Sequence, residues 1–159
     1  MSKFNKVSFE RYKQDTSSTK EIYDNIKLPV RATKKSAGYD FFAPERILIP
    51  KGGYVNIPTG IKVELADNEF LMIVPRSGLG FKTGTKLANT VGIIDADYIE
   101  SKNEGHIFVK LLNNSCLSNE DVVIEQGTAF CQGIIQKYYT TTDDCVERER
   151  NGGFGSTDK

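Results

Sequence analysis

A carboxamide, a carboxylate and a phenol lie close together between positions 89 and 98 of the chain. They belong to Asn89, Asp95 and Tyr98. Asp95 follows the apolar pair Ile93 and Ile94, so its carboxylate emerges from an apolar turn that can hold it rigidly beside a bound molecule. Such a carboxylate can accept a proton from water, and the Asn89 side chain offers both a donor and an acceptor. The alternatives are a turn-forming aspartate and an ordinary half-buried strand tyrosine.

A second group of residues is suited to binding an anion. Arg76, Ser77 and Gly78 present a guanidinium, a hydroxyl and an accessible backbone amide in succession, and these are the donors that phosphate oxygens accept from. The alternative is that Arg76 forms a surface ion pair and Ser77 lies in a loop. Small anions are therefore candidate ligands of the chain.

The last nine residues, 151–159, place Phe154 among three glycines. Glycine lets a backbone approach a ligand closely, but its ordering costs entropy that only a bound partner repays. The alternative is a frayed, solvated end. The segment therefore predicts either a lid or a disordered terminus.

Composition limits the class of protein. The 159 residues fit a single domain spanning 1–159, large enough to bury a core without disulfides or metal. Lys+Arg and Asp+Glu both number 21, so the net charge is zero and the basic excess of a general nucleic-acid binder is absent. We expect no nucleic-acid partner.

The cysteines and the histidine indicate neither a zinc site nor a nucleophilic pair. Cys116, Cys131 and Cys145 are odd in number and lack metal-ligand spacing, and the single histidine, His106, begins an alternating stretch. The N-terminus lacks an apolar signal-peptide core, and no apolar run approaches the length of a membrane helix. We therefore expect a cytoplasmic protein that does not enter a membrane.

Periodicity predicts that strands position these groups. Apolar residues alternate in 61–65 and 107–111, and short apolar runs occupy 70–74 and 122–124. Turn residues at 51–53, 66–68 and 113–114 separate them at intervals typical of an antiparallel sandwich or barrel. The expected class is all-β.

One helix is predicted near the start. Ser18-Thr19-Lys20-Glu21 fits a capping box, Ile22 and Ile26 form an apolar i, i+4 pair, and Pro29 ends the pattern. We interpret residues 1–27 as an N-terminal extension that carries this short helix. Residues 140–159 are polar and glycine-bearing, and we expect a mobile C-terminal arm there.

Five segments follow one another along the chain, here numbered as the first to the fifth motif. They are Ser36-Ala37-Gly38-Tyr39-Asp40, Pro75-Arg76-Ser77-Gly78-Leu79-Gly80, the stretch 87–98, Gly127-Thr128-Ala129-Phe130-Cys131-Gln132 and the tail. Together they resemble the ordered motifs of the trimeric, all-β deoxyuridine triphosphatase (dUTPase) family. The resemblance covers residues 28 to 157 and implies a jelly-roll-like β-barrel that forms a homotrimer with shared active sites.

The resemblance assigns roles to the stretch 87–98. Asp95 corresponds to the aspartate that orients the attacking water and contacts the sugar 3′-hydroxyl, and Tyr98 to the tyrosine that leaves no room for a 2′-hydroxyl. Asn89, Gly92 and Ile94 belong to a strand-like hairpin that hydrogen-bonds uracil, largely through its backbone.

The same resemblance places the triphosphate and its metal. Arg76, Ser77 and Gly78 are implied phosphate ligands, and Gln132 binds phosphate or its water, although Thr128-Ala129 replaces the charged pair common before it. Asp40 corresponds to an aspartate linked through water to a Mg²⁺ ion that arrives with the nucleotide.

In the tail, the resemblance implies that Phe154 stacks on uracil while Gly155, Ser156 and Thr157 close over the γ-phosphate. The family arginine usually stands five positions before the phenylalanine, where this chain has Glu149. Arg150 is the implied γ-phosphate ligand, with Arg148 as the alternative. A second departure is the stretch 99–104, which is longer than usual and is predicted to form a surface loop.

The implied reaction is the Mg²⁺-dependent hydrolysis of dUTP to dUMP and diphosphate by water attack on the α-phosphorus, with Asp95 as the activating base. Two alternatives stay open from the residues. One is a dCTP deaminase of the same superfamily. The other is a nucleotide-gated regulatory protein that binds dUTP and engages an unknown protein partner.

Overall fold

Residues 1–114 and 119–147, which a computed structural model of the protein describes, contain twelve β-strands, three α-helices and one short 3-10 helix. The strands are β1 (Lys3–Lys6), β2 (Val30–Arg31), β3 (Tyr39–Phe42), β4 (Ile47–Ile49), β5 (Tyr54–Pro58), β6 (Ile61–Glu64), β7 (Glu69–Pro75), β8 (Thr85–Leu87), β9 (Gly92–Asp95), β10 (Phe108–Asn113), β11 (Val122–Ile124) and β12 (Ala129–Lys137). The helices are α1 (Phe9–Thr16), α2 (Lys20–Asp24), α3 (Ser77–Thr83) and the 3-10 helix Ala96–Glu100.

The described strands form four antiparallel sheets. The largest has the order β2-β3-β12-β7-β9, and a three-stranded sheet has the order β5-β10-β8. The remaining strands form the pairs β1-β6 and β4-β11. The all-β prediction is confirmed, and the arrangement is compatible with a jelly roll, although these four sheets do not by themselves make a closed barrel.

The strand predictions rest on alternation that the fold explains. Ile61 and Val63 are buried on β6, and Val109 and Leu111 are buried on β10, while the residues between them face outward. The run 122–124 coincides with β11. The predicted turn at 113–114 is wrong in part, because Asn113 ends β10, is buried, and donates from its amide to the carbonyls of Ile49 and Glu120.

The N-terminal extension contributes more to the fold than one helix. The predicted helix is α2, and Thr19 rather than Ser18 is its N-cap, with its hydroxyl accepting from the Ile22 amide at 3.4 Å. Strand β1 and helix α1 are additional, and they bury Phe4 and Tyr12 in the same core as the sheets. Weak periodicity in segments this short explains why the sequence did not predict them.

None of the helices in residues 1–114 and 119–147 has the length and apolar character needed to span a bilayer.

Candidate active site

Five of the predicted site residues line one cavity of about 1050 Å³. The cavity lies where the loop from β8 to β9 and the 3-10 helix meet the face of β10. These five residues are Asn89, Gly92, Ile94, Asp95 and Tyr98.

The stretch 87–98 was expected to form a hairpin, and the fold modifies that expectation. Strand β8 pairs with β10, whereas β9 pairs with β7, so the loop between them crosses from one sheet to another. Thr90 takes a left-handed backbone (φ 65°) at the tip, and the Val91 amide donates to the Asn89 carbonyl at 2.6 Å. The turn therefore exposes Asn89 at the mouth of the cavity.

Gly92 allows β9 to lie close against β7. A Cβ at this position would stand 3.1 Å from the Cβ of Ile73, closer than side chains normally pack. Gly92 and Ile73 are also register partners in the ladder. The glycine therefore sets how near the cavity wall approaches the core.

Tyr98 is held firmly from inside the protein. Its side chain is only 6% exposed. The phenol donates to the His106 carbonyl at 2.9 Å and accepts from the Asn103 amide at 2.9 Å. Asp95, by contrast, is exposed where β9 passes into the 3-10 helix. The cavity thus combines a fixed aromatic wall with an accessible carboxylate.

The predicted phosphate ligands gather at another place. The carboxylate of Asp40 on β3 lies 3.5 Å from the guanidinium of Arg76, which follows β7. Gln132 on β12 is the register partner of Asp40 on one side and of Val74 on the other. We call Asp40, Arg76 and Gln132 the Arg76 cluster; it contains the ion pair that the alternative interpretation of Arg76 proposed.

Two further features shape the Arg76 cluster. A Cβ added to Gly38 would lie 2.2 Å from Oε1 of Gln132, so the glycine of the first motif makes room for the glutamine of the fourth. The alternative interpretation placed Ser77 in a loop, but Ser77 and Gly78 form the first turn of α3. Their amides precede any intrahelical acceptor, and both residues are exposed.

Asp95 and the Arg76 cluster lie at opposite ends of β7, while the cavity wall extends from Asp95 to Ile73 in the middle of the strand. Asp95 pairs with Phe70 near the start of that strand, while Arg76 follows its last residue, Pro75. At about 3.3 Å per residue the backbone positions of Asp95 and Arg76 are about 20 Å apart along the strand. The two side chains therefore do not contact each other within one chain.

The donor set fits a metal that is held mainly by a ligand. Within residues 1–114 and 119–147, no group of three or more His, Cys, Asp or Glu side chains could hold a metal ion. Asp40 offers a single carboxylate beside a cation. Mg²⁺ keeps several waters and often binds through one or two carboxylates and substrate phosphates, so Asp40 fits an indirect contact.

Sequence reasoning missed several residues that line the cavity. Lys110 lies over the ring of Tyr54, with its Nζ 4.0 Å from the ring centroid. Lys110 and Phe108 are the outward positions of an alternation already visible in the sequence. That pattern could have indicated a shared face, but it could not show that the face lines a cavity. The missed residues are Asp15, Tyr54, Asn56, Asn103, Phe108 and Lys110.

Neither His106 nor Cys131 is placed for nucleophilic attack. Both side chains are fully buried. Burial, with the nearby Asp40 carboxylate, raises the pKa of the Cys131 thiol well above its usual value. The predicted tail ligands Arg150, Phe154, Gly155, Ser156 and Thr157, together with Arg148, lie outside the described residues, as does Cys116.

The sequence model of the dUTPase family matches residues 24–158. The chain is 39% identical over 142 residues to the deoxyuridine 5′-triphosphate nucleotidohydrolase of Lactococcus lactis, covering 87% of this chain and 93% of that protein. It is 44% identical over 137 residues to the same-named protein of Rickettsia typhi, covering 82% and 87%.

Solved structures agree with this likeness. The fold is similar to a crystal structure of dUTPase from Streptococcus mutans, with a TM-score of 0.68, 34% identity and coverage of 87% of this chain and 97% of that one. The dUTPase of Staphylococcus aureus phage phi11 has the same TM-score at 21% identity, covering 98% and 99%, and so supports the fold. The chain belongs to the dUTPase family.

Proposed function

We propose that this chain hydrolyses dUTP to dUMP and diphosphate, with the base and sugar bound in the cavity and the phosphates bound by the Arg76 cluster. Hydrolysis of dUTP is the activity of the family to which the chain belongs. The observation that carries the site assignment is the convergence of Asn89, Asp95 and Tyr98 on one cavity.

Asp95 is the proposed catalytic residue. Its carboxylate is exposed at the end of β9 and lines the cavity, so a water molecule can reach it. A carboxylate that orients water and accepts its proton contributes about 10²- to 10⁴-fold to a rate. The water then attacks the α-phosphorus, and diphosphate leaves.

The base and the sugar are selected by different means. Asn89 and the backbone of Gly92 and Ile94 offer hydrogen-bonding groups to uracil, and a base with other edge groups would leave them unpaired. Tyr98 selects by shape, because a buried ring with two hydrogen bonds to its phenol does not move aside for a 2′-hydroxyl.

The phosphates are bound by the groups around Arg76. The guanidinium supports bidentate contact with phosphate oxygens, and the first amides of α3, at Ser77 and Gly78, have no acceptor within the helix. Gln132 adds a neutral ligand beside them. Asp40 is the residue that would hold the waters of a Mg²⁺ ion, and the ion would neutralise charge on the triphosphate.

We propose a homotrimer with shared active sites, as the family resemblance implies, and the separation of Asp95 from Arg76 supports the sharing. An extended triphosphate is shorter than the distance of about 20 Å along β7 between the backbone positions of Asp95 and Arg76 in one chain. A second copy that brings its Arg76 cluster to the cavity of the first completes the site. The cavity and the cluster are therefore proposed to belong to different subunits.

The tail remains a proposed lid. Arg150 and Ser156 with Thr157 would meet the γ-phosphate, Phe154 would stack on uracil, and Gly155 would let the backbone approach. Stacking of a base on an aromatic ring contributes about 1–3 kcal/mol. Deleting residues 151–159 should leave oligomerisation intact and reduce turnover by orders of magnitude; a truncated enzyme of full activity would exclude the lid.

The deciding experiment supplies dUTP, dCTP, dTTP and UTP separately with Mg²⁺ and identifies products by phosphorus NMR and chromatography. We expect dUMP and diphosphate from dUTP alone. Ammonia from dCTP would indicate the deaminase, and tight dUTP binding without product would indicate a nucleotide-gated interaction protein. The named relatives do not favour either alternative.

A further inference from the structure

Helix α1 is joined to the wall of the cavity through the only histidine of the chain. The ring of His106 is fully buried. Its Nδ1 lies 2.6 Å from the Asp15 carboxylate on α1, and its Nε2 accepts the Gly60 amide at 2.8 Å. The ring is thus fixed on both sides.

These contacts determine the protonation of the ring. Because the Gly60 amide can only donate, Nε2 carries no proton, and the proton on Nδ1 is donated to Asp15. Burial lowers the pKa of His106 despite the opposing effect of Asp15. Arg11 in turn donates to the Asp15 carboxylate, with its Nε at 3.0 Å. The arrangement is a neutral imidazole against an ionised, doubly held carboxylate.

The backbone of His106 is the anchor of Tyr98. The His106 carbonyl accepts the phenol of Tyr98 at 2.9 Å, and the Asn103 amide approaches both that phenol and that carbonyl. Any shift of residue 106 therefore changes the position of the Tyr98 ring. Asp15 and Tyr98 line the same cavity.

A second contact ties the same loop to α1. The Glu104 carboxylate accepts the amide and the hydroxyl of Ser8 at 2.8 and 2.6 Å, and Ser8 is the N-cap of α1. Glu104 itself has a left-handed backbone (φ 59°), a conformation that costs energy for a non-glycine residue and persists when its surroundings fix it. Both ends of α1 thus contact residues 104–106.

We propose that Asp15 and His106 are positioning residues for Tyr98, so that α1 controls how strictly the cavity prefers dUTP over UTP. This inference rests on the sugar-facing role of Tyr98 proposed above. Helix α1 precedes the segment that the family model matches, which begins at residue 24. The N-terminal extension is then part of the substrate-selecting machinery.

The test compares kcat/KM for dUTP and UTP in Asp15→Ala and Asp15→Asn. Alanine removes the acceptor for Nδ1–H, and we expect the dUTP-to-UTP ratio to fall about 10-fold, within the range that small misplacements cause. Asparagine keeps an acceptor and should hold the ratio within about 2-fold. Asp24→Ala, which removes an exposed carboxylate paired with Lys20 on α2, is the matched control and should change nothing.

Nitrogen NMR of the single histidine measures the protonation and hydrogen bonding of the His106 ring independently of activity. The wild type and Asp15→Asn should show an Nδ1–H imidazole with unprotonated Nε2, and Asp15→Ala should lose the hydrogen-bonded Nδ1–H signal. If Asp15→Ala does not fold, Arg11→Met replaces it as the test. This change removes the hydrogen bond from Arg11 to Asp15 but keeps the Asp15 carboxylate beside His106. We expect a fall of about 3-fold in the ratio.

The outcomes separate the two proposals. An unchanged ratio in Asp15→Ala, or in Arg11→Met where that variant carries the test, overturns the positioning role even if the NMR signal changes. Equal losses in the alanine and asparagine variants also overturn it, because they point to a direct charge contact. Tyr98→Leu is measured alongside, and an unchanged ratio there refutes the proposed role of Tyr98 and the inference with it.

Discussion

The cavity and the Arg76 cluster are built in opposite ways. Tyr98 is 6% exposed and its phenol has two hydrogen bonds, whereas the Arg76 side chain is 45% exposed and its ion pair with Asp40 is 3.5 Å long. Steric selection needs a wall that does not yield. Phosphate capture needs charges that remain accessible, and a solvated ion pair contributes little to stability on its own.

This difference indicates which of the two sites, the cavity or the Arg76 cluster, is organised before the ligand binds. The Tyr98 wall of the cavity is preformed by buried contacts that also stabilise the fold, so changes to that wall should alter selection and folding together. The Arg76 cluster presents an exposed guanidinium beside the half-buried Asp40 and Gln132, so a change at Arg76 should weaken binding and leave folding nearly intact. Each prediction below tests one side of this contrast.

The largest effect is expected in the cavity, from Asp95→Asn. The amide cannot accept the proton of the attacking water, so kcat should fall about 10²- to 10⁴-fold while dUTP binding is retained. Kinetics and calorimetric titration check this. Asp97→Asn, the same change two residues further on, is the control; near-normal turnover of Asp95→Asn would remove Asp95 from the base role.

Arg76→Met should weaken nucleotide binding rather than the fold. Charge-assisted hydrogen bonds contribute about 1.5–3 kcal/mol each, so KM should rise about 10- to 100-fold. The melting temperature should stay close to wild type, since the side chain is nearly half exposed. Arg46→Met, which breaks another exposed ion pair at 3.4 Å to Glu125, should leave KM unchanged; an equal rise would mean that Arg76 acts only through net charge.

Gly38→Ala tests whether the space at Gly38 sets the position of the Gln132 side chain. The new methyl would occupy the place of the Gln132 amide oxygen, and because the end of that side chain can swing away, we expect a loss of about 3- to 10-fold in kcat/KM with little loss of stability. In a Gln132→Ala background the same change should have much less effect, because only the contact with the Cβ of residue 132, at 3.3 Å, remains. Additive losses would show that Gly38 acts elsewhere.

The smallest effect concerns stability and pH. Burial lowers the pKa of His106, with Asp15 and Glu104 opposing and Arg11 reinforcing the shift. Below about pH 6.5 His106 is protonated in the unfolded chain but stays neutral in the folded chain. The free energy of unfolding should therefore fall as the pH drops from that value toward the pKa of His106 in the folded protein, by at most about 1.4 kcal/mol per pH unit.

Urea unfolding at pH 7.5 and 5.5 measures this dependence. His106→Gln is the control, because its amide can serve both Asp15 and the Gly60 amide and does not titrate. Its stability should vary less over this interval. An identical slope in both proteins would place the source outside His106.

Much of the site could be predicted from local sequence, because its residues cluster in short segments. Asn89, Asp95 and Tyr98 lie within one stretch. Alternation of apolar residues predicted β6 and β10, whereas the short strands β8 and β9 that flank Asn89 show no such alternation in their sequences. The helix at Ser77–Thr83 was not predicted, because two glycines in seven residues give a weak helical signal. Strand β1 and helix α1 were missed for lack of length.

The sequence by itself determined the β class, the principal strands, the family and the residue types that can bind a nucleotide, since all of these depend on nearest neighbours and short periods. Only the tertiary structure decided which distant residues meet. It placed Asp15 against His106 across 91 positions and set Asp95 and Arg76 at opposite ends of β7. Sheet register and core packing fix such pairings, and they are properties of the whole fold rather than of any one segment.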